Sequence, residues 1–369
     1  MHLYKAFLVG LLFCLCPVAL LAQDSLSYRF VNGKELTVLG RAASVDPNTY
    51  HRVDAQSQTK LPRRVAELSR QSAGISINFQ TNAKNIKVKW VLGKYNTLWN
   101  MTPVAVNGLD LYGWRENKWQ YIASAKPVAD TSEAVFIENL DGVMRHYRIH
   151  LPLYAELKEI EVGVNAAALL KKADEAFLPN KKVVIYGSSI TQGASASRPG
   201  MAYTAILARN MHIDTYNLGF SGSGKMELAV ADVLAAMPAD VYILDCVPNP
   251  SPEEIQSRAV PFVKRLRQLK PHVPIILVES VIREHGYWNA KVLDRVQKQN
   301  KAFKEAYDKL KREQYPQLYY IPSDNLIGQD HDATIDGTHL TDAGFLRLAQ
   351  RVQQTLAEVL QIETAGVKR

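Results

Sequence analysis

A serine in the middle of the chain and a histidine near its end lie in sequence contexts typical of a catalytic nucleophile and its general base. Ser189 lies in the segment Tyr-Gly-Ser-Ser-Ile-Thr (186–191), directly after the apolar run 182–185, and Asp336 precedes His339 by three positions. A serine hydroxyl is a weak nucleophile until an imidazole removes its proton, and the imidazole needs an acceptor on its other nitrogen. The three residues together predict acyl transfer, with Ser189 as nucleophile, His339 as base and Asp336 orienting the histidine.

Acyl transfer also needs hydrogen-bond donors for the negative charge that develops on the carbonyl oxygen, each worth roughly 10²–10³ in rate. The glycine-rich segment 217–224 contains Gly222, which can bring its backbone N–H close to a substrate because glycine has no side chain. The segment 245–250 contains Asn249, which offers a side-chain amide. Alone, the first segment also fits a turn or a phosphate cradle, and Asn249 fits a helix-entry residue. With the N–H of Ser189, the two complete a predicted oxyanion hole.

These residues must be positioned by the back half of the chain, 181–369, in which short apolar runs alternate with longer amphipathic segments. The alternation predicts an α/β domain with a parallel sheet covered by helices on both faces, in three layers. Such sheets bind ligands at the carboxyl ends of their strands. The predicted strands are 183–186, 215–218, 241–245, 275–279 and 318–321, and the predicted helices cover 202–211, 290–313, 341–362 and a segment opened by the capping box at 251–254.

The front half, 24–165, shows the period-two alternation typical of antiparallel strands. Turn clusters rich in Asn, Asp and Gly separate the runs, so we predict a β-sandwich of the jelly-roll kind. One short helix is predicted at 64–69, and residues 166–180 are predicted to be a linker. The apolar runs are 75–79, 86–90, 119–122, 135–137, 147–151 and 160–164.

The first 22 residues carry one cation, Lys5, followed by an apolar stretch that ends at Ala22. The stretch is shorter than the roughly 20 residues that span a bilayer, so the pattern favours a cleaved signal peptide over a membrane helix. We therefore expect a periplasmic or secreted protein without stable membrane insertion. Neither Cys14 nor Cys16 follows the small residues of a lipidation site, and cleavage would leave Cys246 alone, with no partner for an internal disulfide.

Charge and spacing limit the other classes of function. The net charge is +8, yet no block of five or more cations occurs, so nucleic-acid binding is not indicated. An acidic polysaccharide would fit a mildly basic surface. Charged side chains normally lie at the solvated surface, however, so the excess of cations is also explained without a ligand. No metal site and no cofactor are predicted, because the acidic and histidine residues at 324 and 330–332 match no known ligand spacing.

Residues 181–362 resemble the SGNH/GDSL hydrolases, whose four blocks supply serine, glycine, asparagine and histidine in that order. Ser189, Gly222, Asn249 and His339 occupy those places, and the last block has the family's Asp-x-x-His form. Two departures are Ser188 in place of the usual aspartate, and a third block without the Gly-x-Asn-Asp wording. The resemblance implies a flavodoxin-like fold, ester hydrolysis through an acyl-enzyme, and no metal.

The segment Asn-Gly-Leu-Asp-Leu-Tyr (107–112) resembles the Gly-x-Asp-Leu-Tyr element of a β-rich domain that precedes one bacterial branch of these esterases. Similar two-part architectures occur among carbohydrate esterases, which makes an acetylated polysaccharide or oligosaccharide the expected substrate. An α/β-hydrolase would instead show Gly-x-Ser-x-Gly, but Thr191 fills the last glycine position.

The loop after the fourth predicted strand, 279–288, is a candidate for binding a sugar by stacking and hydrogen bonds. It contains Arg283, His285, Tyr287 and Trp288. Trp99, Trp114 and Trp119 of the front half are further candidates for stacking on a sugar, although packing in the core would also explain them. Two other functions stay open: a lipid esterase or thioesterase of the same fold, and a carbohydrate-binding protein with a vestigial hydrolase domain.

Overall fold

A computed structural model of the chain describes residues 27–95 and 97–362. The predicted signal peptide, 1–22, lies outside the described residues. The strands of the front half are β1 (Tyr28–Asn32), β2 (Thr37–Leu39), β3 (Ser76–Thr81), β4 (Ile86–Tyr95), β5 (Leu109–Arg115), β6 (Lys118–Ala125), β7 (Thr131–Ile137), β8 (Arg145–His150), β9 (Ala155–Asn165) and β10 (Leu170–Lys172). Its helices are α1 (Ala55–Gln58), α2 (Arg63–Leu68) and α3 (Pro103–Asn107).

The back half alternates strands and helices as the sequence predicted. Its strands are β11 (Lys182–Gly187), β12 (Asp214–Gly219), β13 (Val241–Asp245), β14 (Ile275–Val278) and β15 (Leu318–Ile321). Its helices are α4 (Ser189–Gln192), α5 (Tyr203–Met211), α6 (Leu228–Ala236), α7 (Pro252–Leu269), α8 (Ala290–Arg312) and α9 (Asp342–Leu360). Helix α7 begins with the predicted capping box, in which Ser251 and Glu254 bond each other's backbone N–H.

The five strands of the back half form one parallel sheet in the order β12-β11-β13-β14-β15. This order confirms the predicted parallel sheet and is that of flavodoxin-like folds. In register, Gly187 at the end of β11 pairs with Gly219 of β12 and with Asp245 of β13. The loops that follow these three strands therefore leave the sheet at one edge.

Side chains that alternate along the strands bury the two faces of the sheet separately. Val184 and Tyr186 belong to a cluster with residues of α6, α7 and α8, whereas Val183 and Ile185 belong to a second cluster with residues of α5 and α9. The two clusters give the helix–sheet–helix layers that the sequence predicted. Such burial on both faces explains why the strands are continuous apolar runs.

The front half contains two antiparallel sheets. The first has the order β1-β9-β4-β7, and the second the order β10-β3-β8-β5-β6 with β2 also paired to β3. One hydrophobic cluster takes side chains from both sheets, among them Trp90 and Leu157 from the first and Ile77 and Ile149 from the second. The antiparallel strands that the period-two pattern predicted therefore surround a shared core. The jelly-roll connectivity stays a prediction.

The segment predicted as a linker, 166–180, is part of the front half for much of its length. Leu170–Lys172 pairs with β3, and the Thr81 hydroxyl donates to the carbonyl of Leu169 at 2.6 Å. The side chain of Phe177 stacks on His146 with ring centroids 3.7 Å apart. Strand β10 was missed because it has three residues, two of them lysines, and shows no alternation.

The two halves are joined by buried polar contacts from the Gly-x-Asp-Leu-Tyr segment. Asp110 is fully buried, and its Oδ2 accepts hydrogen bonds from Arg198 Nη1 at 2.8 Å and from the backbone N–H of Gly200 at 2.9 Å. The Tyr112 hydroxyl accepts another from Arg198. Because Arg198 and Gly200 follow closely on α4, the segment holds the chain just beyond Ser189.

We expect Asp110→Asn to destabilise the protein by about 2 kcal/mol, since it removes the charge partner of the partly buried guanidinium of Arg198. Urea unfolding followed by circular dichroism measures the change. Asp141→Asn is the matched control, because Asp141 pairs with Arg145 at the exposed surface and its loss should cost little. Equal unfolding midpoints for the two variants would contradict this account of the motif.

Candidate active site

Ser189 is the first residue of α4, where β11 turns sharply into the helix. Ser188 is the N-cap, and its hydroxyl accepts a hydrogen bond from the backbone N–H of Ile190 at 3.2 Å. A Cβ at position 187 would lie 2.5 Å from the carbonyl oxygen of Asp245, so the turn requires glycine there. The fold thus holds Ser189 almost buried, with 9% of its surface exposed, at the carboxyl edge of the sheet.

The structure brings Ser189, His339 and Asp336 together in the predicted order. Ser189 Oγ lies 2.9 Å from His339 Nε2, and His339 Nδ1 lies 2.7 Å from Asp336 Oδ2. Since a carboxylate only accepts, Nδ1 carries the proton and donates to Asp336, which leaves the Nε2 lone pair facing the serine hydroxyl. The assigned tautomer is the one that a general base requires.

The carboxylate of Asp336 is held by more than the histidine ring. Its Oδ1 accepts hydrogen bonds from the backbone N–H groups of Thr338, at 3.0 Å, and His339, at 2.7 Å. Burial raises the pKa of Asp336, but the backbone and side-chain hydrogen bonds from His339 outweigh burial and bring the pKa down to about 2. Asp336 is therefore ionised throughout the neutral range.

Asn100, from the loop between β4 and α3 of the front half, also reaches this group. Its Nδ2 donates to Asp336 Oδ2 at 2.9 Å and lies 3.3 Å from His339 Nδ1. No sequence pattern predicted Asn100, because it is separated from Asp336 by 236 positions and lies in no recognisable motif. No signal in a single sequence links the two residues.

The two predicted oxyanion donors come from loops that are joined to each other and to the turn before Ser189. The Phe220 N–H donates to the carbonyl of Gly187 at 3.0 Å, and Asn249 Nδ2 donates to the carbonyl of Phe220 at 3.2 Å. Among the described residues, no acceptor lies in hydrogen-bond range of the Gly222 N–H. The arrangement leaves that N–H and one hydrogen of the Asn249 amide available to a ligand.

The backbone conformation at position 222 favours glycine. A Cβ there would meet no atom of the described residues within 4 Å, so packing inside the protein does not demand glycine, and close approach of its N–H to a substrate stays a prediction. The backbone of Gly222 instead has φ +70°, in the left-handed region that glycine adopts without strain.

Two family models match the two halves of the chain. Residues 180–357 match the GDSL-like lipase/acylhydrolase family, and residues 28–170 match the N-terminal region of SGNH-hydrolase-type esterases that is named for the Gly-x-Asp-Leu-Tyr motif. A GDSL-like lipase from Bacteroides ovatus is 42% identical, with a TM-score of 0.89 over 92% of this chain and 100% of that chain. The chain belongs to the GDSL-like lipase/acylhydrolase family.

Solved structures of lower sequence identity share the fold. The salicylyl-acyltransferase SsfX3 of a tetracycline biosynthetic pathway is 19% identical, with a TM-score of 0.73 over 91% of this chain and 99% of that chain. An acetyl xylan esterase from Butyrivibrio proteoclasticus is 10% identical, with a TM-score of 0.58 over 91% of this chain and 100% of that chain. No curated protein sequence matches the chain. Family membership supports an esterase or acylhydrolase activity.

In this GDSL-like acylhydrolase, the loop that follows β14 meets the Asp336–His339 turn. His285 Nδ1 donates to the carbonyl of Gly337 at 3.1 Å, and Arg283 donates to the carbonyl of Pro248, next to Asn249, at 3.0 Å. Tyr287 is 53% exposed and packs edge-on against His331, while Trp288 is 94% exposed. Of the four predicted substrate-binding residues, His285 and Arg283 bond to backbone carbonyls of the loops that form the site. The two aromatic side chains are largely exposed to solvent.

The front-half tryptophans divide into two kinds. Trp114 and Trp119 contact each other and Phe177 edge to face, so packing accounts for them. Trp99 is 83% exposed, and it directly precedes Asn100. An exposed indole therefore lies next in sequence to the residue that contacts Asp336.

The residues weighed as metal ligands have other partners. Asp330 forms a bidentate ion pair with Arg347, with both N···O distances at 2.6 Å, and His331 Nδ1 lies 2.9 Å from Glu284 Oε2. Within 27–95 and 97–362, no three His, Cys, Asp or Glu side chains are placed to hold a metal ion. In the same part of the chain, no helix combines the length and the apolar character needed to cross a bilayer.

Proposed function

We propose that the protein is an exported serine esterase that removes acyl groups, acetate above all, from carbohydrate through an acyl-enzyme. The observation that carries the proposal is the unbroken hydrogen-bond chain from Ser189 through His339 to Asp336. Export rests on the leader 1–22 and its apolar stretch.

In the first half of the reaction, Ser189 Oγ attacks the acyl carbonyl carbon and its proton passes to His339 Nε2. The tetrahedral intermediate collapses, the bond to the sugar oxygen breaks, and the departing alcohol takes the proton from Nε2. Ionised Asp336 stabilises the imidazolium that exists between these steps and keeps its Nδ1 proton in place.

In the second half, water attacks the acyl-enzyme while His339 Nε2 takes a proton from that water. The bond to Ser189 Oγ breaks, Oγ regains the proton from Nε2, and the carboxylic acid leaves. In both halves the charged oxygen accepts from the N–H groups of Ser189 and Gly222 and from the amide of Asn249. These donors are fixed by α4 and by the joined 220–224 and 246–249 loops, so they need little reorganisation during the reaction.

Two exposed tryptophans next to residues of the site support a carbohydrate substrate. Trp99 precedes a residue that touches Asp336, and Trp288 belongs to the loop that contacts Gly337. Indole faces stack on the apolar faces of sugar rings, and fully exposed tryptophans lack a packing role. The fold is also shared with a family two carbohydrate esterase of Clostridium thermocellum bound to cellohexaose, at 14% identity and a TM-score of 0.58 over 78% of this chain and 93% of that chain.

Acetate release from a panel of acetylated xylans, mannans and cello-oligosaccharides tests the substrate class, with the Ser189→Ala protein as blank. We expect release from at least one glycan, and we expect Trp288→Ala to raise KM for that glycan several-fold while turnover of p-nitrophenyl acetate stays unchanged. Tyr319→Ala is the control for removal of a partly exposed aromatic on the β15 strand. Equal KM values for wild type and Trp288→Ala would contradict the proposal that the loop 279–288 binds the sugar.

A lipid esterase or thioesterase is the second candidate, because the B. ovatus relative is described as a GDSL-like lipase. Acyl-chain length separates the two, since a long acyl group gains binding energy only where an apolar groove can bury it. A carbohydrate deacetylase should hydrolyse p-nitrophenyl acetate much faster than the octanoate. Preference for octanoate or for acyl thioesters, with no acetate released from glycans, would select the second candidate.

A further inference from the structure

We infer that Asn100 is a positioning residue of the active site, contributed by the front half, which holds the carboxylate of Asp336 in line with His339. The inference rests on the proposed function and adds to it a task for the front half. Its basis is the 2.9 Å hydrogen bond from Asn100 Nδ2 to Asp336 Oδ2, the same oxygen that accepts from the histidine ring.

The chemistry of the neighbours fixes which way the Asn100 amide faces. Asp336 is ionised and His339 Nδ1 carries a proton, so the atom between them must be one that a carboxylate attracts. An amide oxygen 2.9 Å from Asp336 Oδ2 would be repelled, whereas the NH₂ group donates to it. The 3.3 Å approach of Nδ2 to His339 Nδ1 is then a contact between two donors that share one acceptor.

The loop that carries Asn100 is anchored on both sides of it. Thr102 caps α3, and its hydroxyl donates to the carbonyl of Ser197 in the back half at 2.6 Å. Leu98 and Met101 pack against the hydrophobic cluster of the back half that contains α5 and α9. The position of Asn100 is thus set by contacts that do not involve Asp336.

Two donors on Oδ2 and two backbone donors on Oδ1 fix the plane of the Asp336 carboxylate. Without Asn100, the carboxylate loses a restraint that comes from outside its own turn. A small displacement of Asp336 moves the His339 ring relative to Ser189 Oγ, and misplacement of about 1 Å can cost about 10²-fold in rate.

Steady-state kinetics with p-nitrophenyl acetate over a range of pH tests this role in the full-length mature protein. We expect Asn100→Ala to lower kcat by about 10- to 100-fold with KM within about twofold, and to leave the urea midpoint unchanged. We expect Asn100→Asp to move the acid limb of kcat to higher pH, because a second carboxylate beside His339 favours the protonated imidazole, which cannot act as base. Asn100→Ala should show no comparable shift.

Asn48→Ala is the matched control, because Asn48 is an exposed asparagine of the front half far along the chain from the site. Full kcat in Asn100→Ala, in an enzyme whose activity still requires Ser189, would overturn the inference. So would a loss of kcat that only follows a lowered urea midpoint, with unshifted pH profiles in both variants. Turnover that survives Ser189→Ala would overturn the proposed function instead, so the two failures are distinguishable.

Discussion

Replacing Ser189 by alanine is expected to lower kcat for p-nitrophenyl acetate by at least about 10⁴-fold. The variant keeps the oxyanion donors and His339, but it has no oxygen that can form the acyl-enzyme. Removal of a nucleophile usually costs as much as removal of the whole catalytic group, because its members act as a unit. The burst of p-nitrophenol that marks acyl-enzyme formation should disappear with the steady-state rate.

The loss should be chemical and not structural. The Ser189 hydroxyl contacts His339 and caps nothing, since Ser188 is the N-cap of α4. We therefore expect the thermal midpoint of Ser189→Ala to lie close to that of wild type. Ser257→Ala, at an exposed position on α7, controls for loss of a serine hydroxyl elsewhere and should keep full turnover. Turnover retained by Ser189→Ala would end the case for an acyl-enzyme on this residue.

The sequence predicted the back half well because its signals are local and repeated. Apolar runs found all five strands of the parallel sheet, with β13 and β15 at the predicted bounds. The register of β11 with β12 and β13 then makes the residues after those strands neighbours. For that reason the proximity of Ser189 to the segments of Gly222 and Asn249 could be predicted without coordinates.

Helix α6 shows where periodicity fails. Its segment, Leu228–Ala236, is apolar on almost every side and has no amphipathic stripe, so its sequence pattern did not predict a helix. Strand β5 was noted only as a motif, although Asp110 on it is the buried partner of Arg198. What such residues do depends on the contact between the two halves, which no local pattern encodes.

Asn100 marks the limit of prediction from a single sequence at the site. The motif residues are recognisable because each lies at a strand end or beside a glycine in a familiar order. Asn100 lies in a loop whose position is set by Leu98, Met101 and Thr102 against the back half. Only the assembled structure reveals that a front-half amide reaches Asp336.

Replacing Asp336 by asparagine is expected to lower kcat by about 10³- to 10⁴-fold through a change of tautomer. The backbone N–H groups of Thr338 and His339 would retain the amide oxygen at the Oδ1 position. The new NH₂ group would then face His339 Nδ1, which must become an acceptor. The ring proton moves to Nε2, so the nitrogen beside Ser189 Oγ donates and can no longer remove a proton.

The effect of Asp336→Asn on stability should depend on pH in a definite direction. The pKa of Asp336 is lowered to about 2 in the folded protein, below its ordinary value near 4, so the ionised group stabilises the fold above that value. This contribution is lost as the pH falls toward 2. Urea midpoints of wild type and Asp336→Asn should therefore differ at pH 6 and converge as the pH approaches 2.

The double variant Asp336→Asn/Asn100→Asp separates a missing negative charge from a misplaced one. It moves the carboxylate to position 100, whose side-chain terminus lies 3.3 Å from His339 Nδ1 in the wild type. There the carboxylate can accept from both Nδ1–H and the introduced amide, which restores the tautomer that leaves Nε2 free. We expect kcat to recover part of the loss of Asp336→Asn. A double variant slower than Asp336→Asn would mean that the direction of the carboxylate, and not the tautomer it selects, limits the histidine.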